Sequence, residues 1–167
     1  MDEATQAEFI ESWGSMGMLW GINRSMARIH ALLMVSERPL SLDEIAQRLE
    51  ISRGNTSMSL KDLRAWGVIR RVHHSGDRRD LYVAESDAWK VVFRIAAERK
   101  RREFDPALQA VSRALAATAD EEGDVQLRLR QMEELMESVD RILTRLLADT
   151  GMSQTILRFL TTQVSKP

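Results

Sequence analysis

Two helix-start signals, at Ser41 and Ser52, stand so close together that only one short helix and one tight turn fit between them. Ser41 is followed three residues on by Glu44, the pairing of a capping box. The helix it opens, LDEIAQRLE, turns Leu42, Ile45, Ala46 and Leu49 to one side. After a brief turn around Glu50 and Ile51, Ser52 caps a second helix that runs to Trp66, where Gly67 stops it. Upstream, NRSMARIHALLMV carries Met26, Ile29 and Leu33 on from Ile22 at helical spacing, so a helix is predicted to end near Ser36 before Pro39 closes a turn. Downstream, VIRRVHH and DLYVA alternate as strands about the turn SGDRR. Helix, capped helix, tight turn, capped helix and two-stranded ribbon follow in the order of a winged helix-turn-helix.

From Asp87 onward the pattern is helical. Trp89, Val92, Phe93 and Ala96 mark one face. Pro106 is expected to start a new helix at its first position with Asp105 as the cap, continuing through Leu108, Val111 and Leu115. ADEEGD reads as a loop. Beyond it Val125, Leu129, Met132, Met136, Val139, Leu143 and Leu146 alternate steps of four and three, the seam of a heptad helix. That seam suits either pairing with a second chain or packing inside one chain as a bundle; spacing alone does not choose. Gly151 is expected to end this helix and SQTILRFLTTQV to form a short last one. The expected fold is mainly α with a small β-hairpin wing: a winged helix-turn-helix domain with its N-terminal helix over residues 1–87, and long C-terminal dimerisation helices in a helical dimerisation and effector region over 88–167.

The first turns of the helix that Ser52 opens are unusual for a helix that only has to pack. At 100° per residue, Thr56, Leu60 and Leu63 fall on the core side, and Gly54, Asn55, Ser57, Met58 and Lys61 fall on the opposite side or its margins. A helix that enters a major groove must keep bulky apolar groups off its leading turns. Gly54 permits close approach of the backbone, Asn55 has the donor and acceptor to pair with adenine, Ser57 and Ser59 are adaptable partners, and Arg53 can reach guanine or phosphate. The helix N-terminus at Ser52 itself favours a phosphate. In the hairpin HHSGDRRD, Arg78 and Arg79 stand at or near the tip, where a guanidinium can enter a minor groove, with His74 beside them; Asp77 would brace the turn or hold an arginine.

Charge agrees with that reading. The net charge is −1, yet between residues 53 and 79 Arg53, Lys61, Arg64, Arg70, Arg71, Arg78 and Arg79 face only Asp62 and Asp77. The first 23 residues and the stretch 120–140 are acidic, so the basic surface is local and aimed at a polyanion. The run ERKRRE (98–103) fits either contact with flanking phosphate or a solvated helix face paired with nearby acids.

Other classes find little support. With no cysteine, disulfides and thiolate zinc sites are excluded, and His73 and His74, adjacent in a strand, point to opposite faces with no further ligand at suitable spacing. Neither a GxSxG strand-turn-helix nor a glycine-rich phosphate loop occurs, so no enzyme and no cofactor is expected. No apolar run approaches the roughly 20 residues of a membrane span, and MDEATQAEF lacks a signal-peptide layout, so the expected location is cytoplasmic, away from any membrane.

The segments WGINRSMARIHALL, LSLDEIAQRLEISRGNTSMSLKDLRAWGVIRRV and GDRRDLY resemble the GbsR-type regulators, a group beside the MarR family of winged-helix transcription factors, over roughly residues 13 to 93. The resemblance implies an N-terminal DNA-binding winged helix, a helical C-terminal part that dimerises, and repression relieved by a small effector. It implies a DNA-reading helix over residues 52 to 66 (Ser52, Arg53, Gly54, Asn55, Ser57, Met58, Ser59, Lys61) and a wing over 68 to 84 (His74, Arg78, Arg79). Some relatives regulate choline and glycine betaine metabolism. A choline-like effector would need an aromatic cage, for which Trp89 and Phe93, sharing a face at i,i+4, are the candidate pocket, although rings at that spacing also suit a core. The expected partners are double-stranded DNA, bound at a pseudo-palindromic operator, a second copy of the chain and a small molecule. The rival reading is a winged-helix module for protein contacts without DNA, which leaves the cation excess between Arg53 and Arg79 unexplained.

Overall fold

A computed structural model describes residues 1–73, 79–118, 123–148, 151 and 155. Two compact units make up the chain, Met1–Val91 and Val92–Pro167.

In the first unit, α1 (Glu3–Leu19) crosses α2 (Arg24–Met34) at very short range. Gly14 and Gly17 are the reason: a Cβ on Gly14 would lie 2.7 Å from Arg28 Cγ, and one on Gly17 2.5 Å from Ala27 Cβ. Ion pairs clamp the same crossing. Glu11 of α1 accepts from Arg24 at 2.8 Å and from Arg28 Nε at 2.7 Å, and Arg28 also donates to the Leu49 carbonyl at 3.2 Å. Partial burial raises the Glu11 carboxyl, but the Arg24 hydrogen bond and the Arg28 charge outweigh it and hold the group below its ordinary value. His30 lies buried on α2 with its ring centroid 6.2 Å from that of Trp13. Its Nε2 has no hydrogen-bond partner, and burial pushes its pKa down to about 4.

The two capped helices stand where the sequence puts them. α3 (Leu42–Leu49) starts with a complete capping box between Ser41 and Glu44, and α4 (Arg53–Ala65) starts with Ser52 accepting from the Asn55 amide at 3.2 Å. Hydrogen bonds from Arg38 and then from Ser41 hold the Glu44 carboxyl well below the usual range, at about 2. Glu50 joins the two helices in a left-handed conformation (φ 53°, ψ 42°), and Gly67, at φ 73°, follows α4. Ile29, Ile45, Leu60 and Thr56, all essentially without exposure, form the core that α2, α3 and α4 share.

The ribbon consists of β2 (Ile69–Val72) and β3 (Leu81–Ala84), antiparallel with Ile69 opposite Ala84 and Val72 opposite Leu81. The sheet has a third strand that the sequence did not announce. β1 (Leu40–Ser41) pairs with β3 through Leu40 opposite Tyr82 and Ser41 opposite Leu81, for a strand order of β1-β3-β2. At two residues, β1 is too short to show alternation, and its second residue also caps α3.

α5 (Ala88–Arg99) runs on through a π turn (Lys100–Phe104) into α6 (Asp105–Ala117). This corrects the expectation of a helix break with Asp105 as cap. Asp105 is itself helical (φ −60°, ψ −43°), and its N–H donates five residues back to the Lys100 carbonyl. The wider turn accommodates Pro106, which lacks an N–H and would clash with the carbonyl four residues before it in a plain α-helix. Lys100 fastens the place, with its Nζ 2.7 Å from both Asp105 and Asp140. Arg99 pairs with Glu103, and Arg101 and Arg102 pair with Glu98, so the run 98–103 is a face paired with nearby acids.

α7 (Asp124–Ala148) packs on α6, and Gln126 Nε2 donates to the Thr118 carbonyl at 3.0 Å across the connection. Most of the expected ADEEGD loop and of the short last helix lie outside the described residues. No helix among the described residues is long and apolar enough to cross a membrane.

Candidate nucleic-acid interface

The burial of α4 divides it into two faces. Thr56, Ser59, Leu60 and Leu63 are buried, whereas Ser52, Arg53, Gly54, Asn55, Ser57, Met58 and Lys61 are exposed. The buried Thr56 hydroxyl is satisfied by donating to the Ser52 carbonyl at 3.0 Å, so a polar residue sits in the core without an orphaned group. Met58 is 70% exposed, and nothing lies within 4 Å of the place a Gly54 Cβ would take. The leading turns are therefore low in profile and open to a partner.

Ser59 needs a correction. The sequence counts it among the adaptable partners for DNA, but it is 4% exposed and its hydroxyl donates to Asn55 Oδ1 at 3.4 Å. Three residues on from Thr56 and four short of Leu63, it falls on the core margin of the helix, where a serine is small enough to be covered.

Asn55 is held as well as exposed. Its Nδ2 donates to Ser25 Oγ on the first turn of α2 at 2.8 Å. Arg53 forms an ion pair with Asp43 of α3, both side chains largely in solvent. An exposed pair of that kind contributes about 0–1 kcal/mol, so a phosphate or a base can displace Asp43 at small cost. Sequence reasoning missed Ser25 and Asp43, because each acts across a separation in the chain that no helical or strand period links to α4.

Among the described residues between 53 and 79 the exposed cations are Arg53, Lys61, Arg64, Arg70, Arg71 and Arg79. Arg71, on β2, donates to Asp80 at 3.0 Å at the turn end of the ribbon. His74 and Arg78, expected at the wing tip with Asp77, lie outside the described residues. In the second unit Phe93 is 6% exposed and thus shielded from solvent; Trp89, on the first-unit part of α5, is half-buried. No group of three or more His, Asp or Glu side chains among the described residues could hold a metal ion.

Comparison with known proteins follows the same boundaries. Residues 20–80 match the family model described as the MarR family. The HTH-type transcriptional repressor GbsR of Bacillus subtilis (strain 168) is 28% identical over 98 residues, 59% of this chain and 54% of that protein. YvaV of the same organism is 22% identical over 88 residues, 53% of this chain and 50% of its own length. The chain thus spans about half the length of these curated relatives. A crystal structure of a transcriptional regulator superposes with a TM-score of 0.66 at 23% identity, over 86% of this chain and 96% of that one, and carries the likeness of fold. By their names GbsR is a transcriptional repressor and YvaV a putative transcriptional regulator. Through the winged helix-turn-helix between residues 20 and 80, this chain is similar to the MarR family.

Proposed function

We propose that the chain is a sequence-specific DNA-binding transcriptional regulator, a repressor that acts as a homodimer on a pseudo-palindromic operator and is released by a small-molecule effector. The observation that carries this reading is the face of α4. Arg53, Gly54, Asn55, Ser57, Met58 and Lys61 stand in solvent while Thr56, Leu60 and Leu63 anchor the helix, an arrangement that leaves its first turns free to enter a major groove. Arg70, Arg71 and Arg79 supply cations on and beside the ribbon for the flanking backbone. Repression is supported by the name of the relative GbsR.

The homodimer is supported by the second unit. Among the described residues of α6 and α7 only Gln126 is buried. On α7, Val125, Leu127, Met132, Leu135 and Ile142 are each about half exposed or more, while Leu129, Met136, Val139, Leu143 and Leu146 are half-buried. Met132, Leu135, Val139, Ile142 and Leu146 themselves step by three and four, so a second seam runs beside the expected one. An apolar stripe this wide has more surface than α6 alone covers, and a second copy would cover the rest. The effector is proposed as a choline-like cation with Trp89 and Phe93 as its candidate contacts; a calorimetric titration with choline that gives no heat and no change in operator affinity would remove it.

The deciding experiment is a gel shift with duplex from the chain's own promoter region at two salt concentrations, followed by selection of bound sequences from random duplexes. Salt-dependent binding and enrichment of an inverted repeat, with half-sites about one turn or roughly 34–36 Å apart, are expected. No duplex binding at low salt would leave the protein-contact module as the better reading.

A further inference from the structure

We infer that Ser25 is a specificity-positioning residue of the interface: from the first turn of α2 it sets the plane in which Asn55 presents its carboxamide to a base. The inference rests on the DNA-binding reading above and goes beyond it, because Ser25 lies on another helix, thirty positions away in the chain.

A carboxamide has two N–H protons and two oxygen lone pairs. On Asn55 one proton goes to Ser25 Oγ at 2.8 Å, and one lone pair accepts the Ser59 hydroxyl at 3.4 Å. One donor and one acceptor are left, the set that bidentate pairing with a base edge uses. These two bonds therefore do not compete with base reading; they fix the torsions of a side chain that would otherwise rotate at an exposed position. Of the two, the Ser25 bond is the shorter and sets the tilt.

Ser25 is itself firmly placed. The Asn23 side chain caps α2 by accepting from the Ser25 amide at 2.9 Å and the Met26 amide at 3.3 Å. Arg24 and Arg28, on either side of it, are tied to Glu11 of α1, and Arg28 reaches the Leu49 carbonyl at the end of α3. A fixed hydroxyl is a reference point, and preorganisation of this kind improves discrimination without adding a contact to DNA.

The test uses the full chain and the operator obtained by selection. Wild type, Asn55→Ala, Ser25→Ala, Ser25→Thr and the Ser25→Ala/Asn55→Ala double variant are titrated against the operator, its single-base variants and an unrelated duplex, with thermal melting as a check on folding. Asn55→Ala identifies the base pair that Asn55 reads. Ser25→Ala is expected to lower discrimination at that same pair three- to tenfold, with the salt slope and the affinity for unrelated duplex unchanged. Ser25→Thr, which keeps the hydroxyl, should restore it, and the double variant should discriminate no worse than Asn55→Ala. Unchanged discrimination in Ser25→Ala, or an even loss across all sequences, overturns the inference while leaving the DNA reading intact. Loss of the reading itself would appear separately, as Asn55→Ala binding every duplex as wild type does.

Discussion

Asn55 and Arg53 both stand in the first turn of α4, yet the structure holds them differently. Asn55 is fixed by two hydroxyls, whereas Arg53 leans on a solvated carboxylate. Either change to alanine is expected to cost about 1–3 kcal/mol on the operator and to relax base preference, measured by fluorescence anisotropy against single-base variants. Arg79→Ala should instead weaken binding evenly and reduce the salt slope by about one. Away from the interface, His30 makes stability depend on pH. Its folded pKa, about 4, lies below the unfolded value of 6.5, so between these the unfolded chain binds more protons. The stability that neutral His30 provides is complete above about pH 6.5 and is lost as pH falls toward 4. Urea unfolding at pH 7.5 and pH 5 should differ by about 2 kcal/mol from this group, at about 1.4 kcal/mol per pH unit, and His30→Leu should remove that difference.

Among the elements, those with strong local signals were legible and those set by contact were not. The Ser41 capping box, the Ser52 cap, the Gly67 stop and the two faces of α4 follow from spacing, because caps and helical period are local. The two-residue β1 and the π turn at Lys100–Phe104 depend on partners elsewhere, Tyr82 and Leu81 for the strand and Asp140 for Lys100. Ser25 and Ser59 show the same limit within the candidate site: the sequence offers hydroxyls, and only the packing decides which one faces outward. The α1–α2 crossing belongs here too. Gly17→Ala would drive a methyl group against Ala27 on a neighbouring backbone, and such overpacking typically costs about 1–3 kcal/mol. Chemical denaturation of the variant should register that loss, with Gly54→Ala, a helical position where nothing lies within 4 Å, expected instead to gain up to about 1 kcal/mol.

For the whole molecule, the contrast between its two units is what the proposed homodimer rests on. The first has a buried core of its own; in the second, the described residues of α6 and α7 leave their aliphatic rows half uncovered. Leu135→Glu together with Ile142→Glu, at positions 60% and 59% exposed, should leave the subunit folded but shift it to a monomer in analytical ultracentrifugation, with operator affinity falling by at least tenfold. Full affinity in a monomeric variant would refute the two-copy arrangement. The joint at Glu50 has a bearing on any such assembly. A left-handed backbone without glycine is disfavoured by about 1 kcal/mol, and it is kept because the Ile51 amide bonds the Ala46 carbonyl at 3.1 Å while Arg28 grips Leu49. Such an elbow has one setting and no gradual hinge. If a bound molecule shifts α4, α3 must travel with it, and so must α2 through Arg28 and Ser25, so the motion has to be absorbed where the ribbon meets that piece.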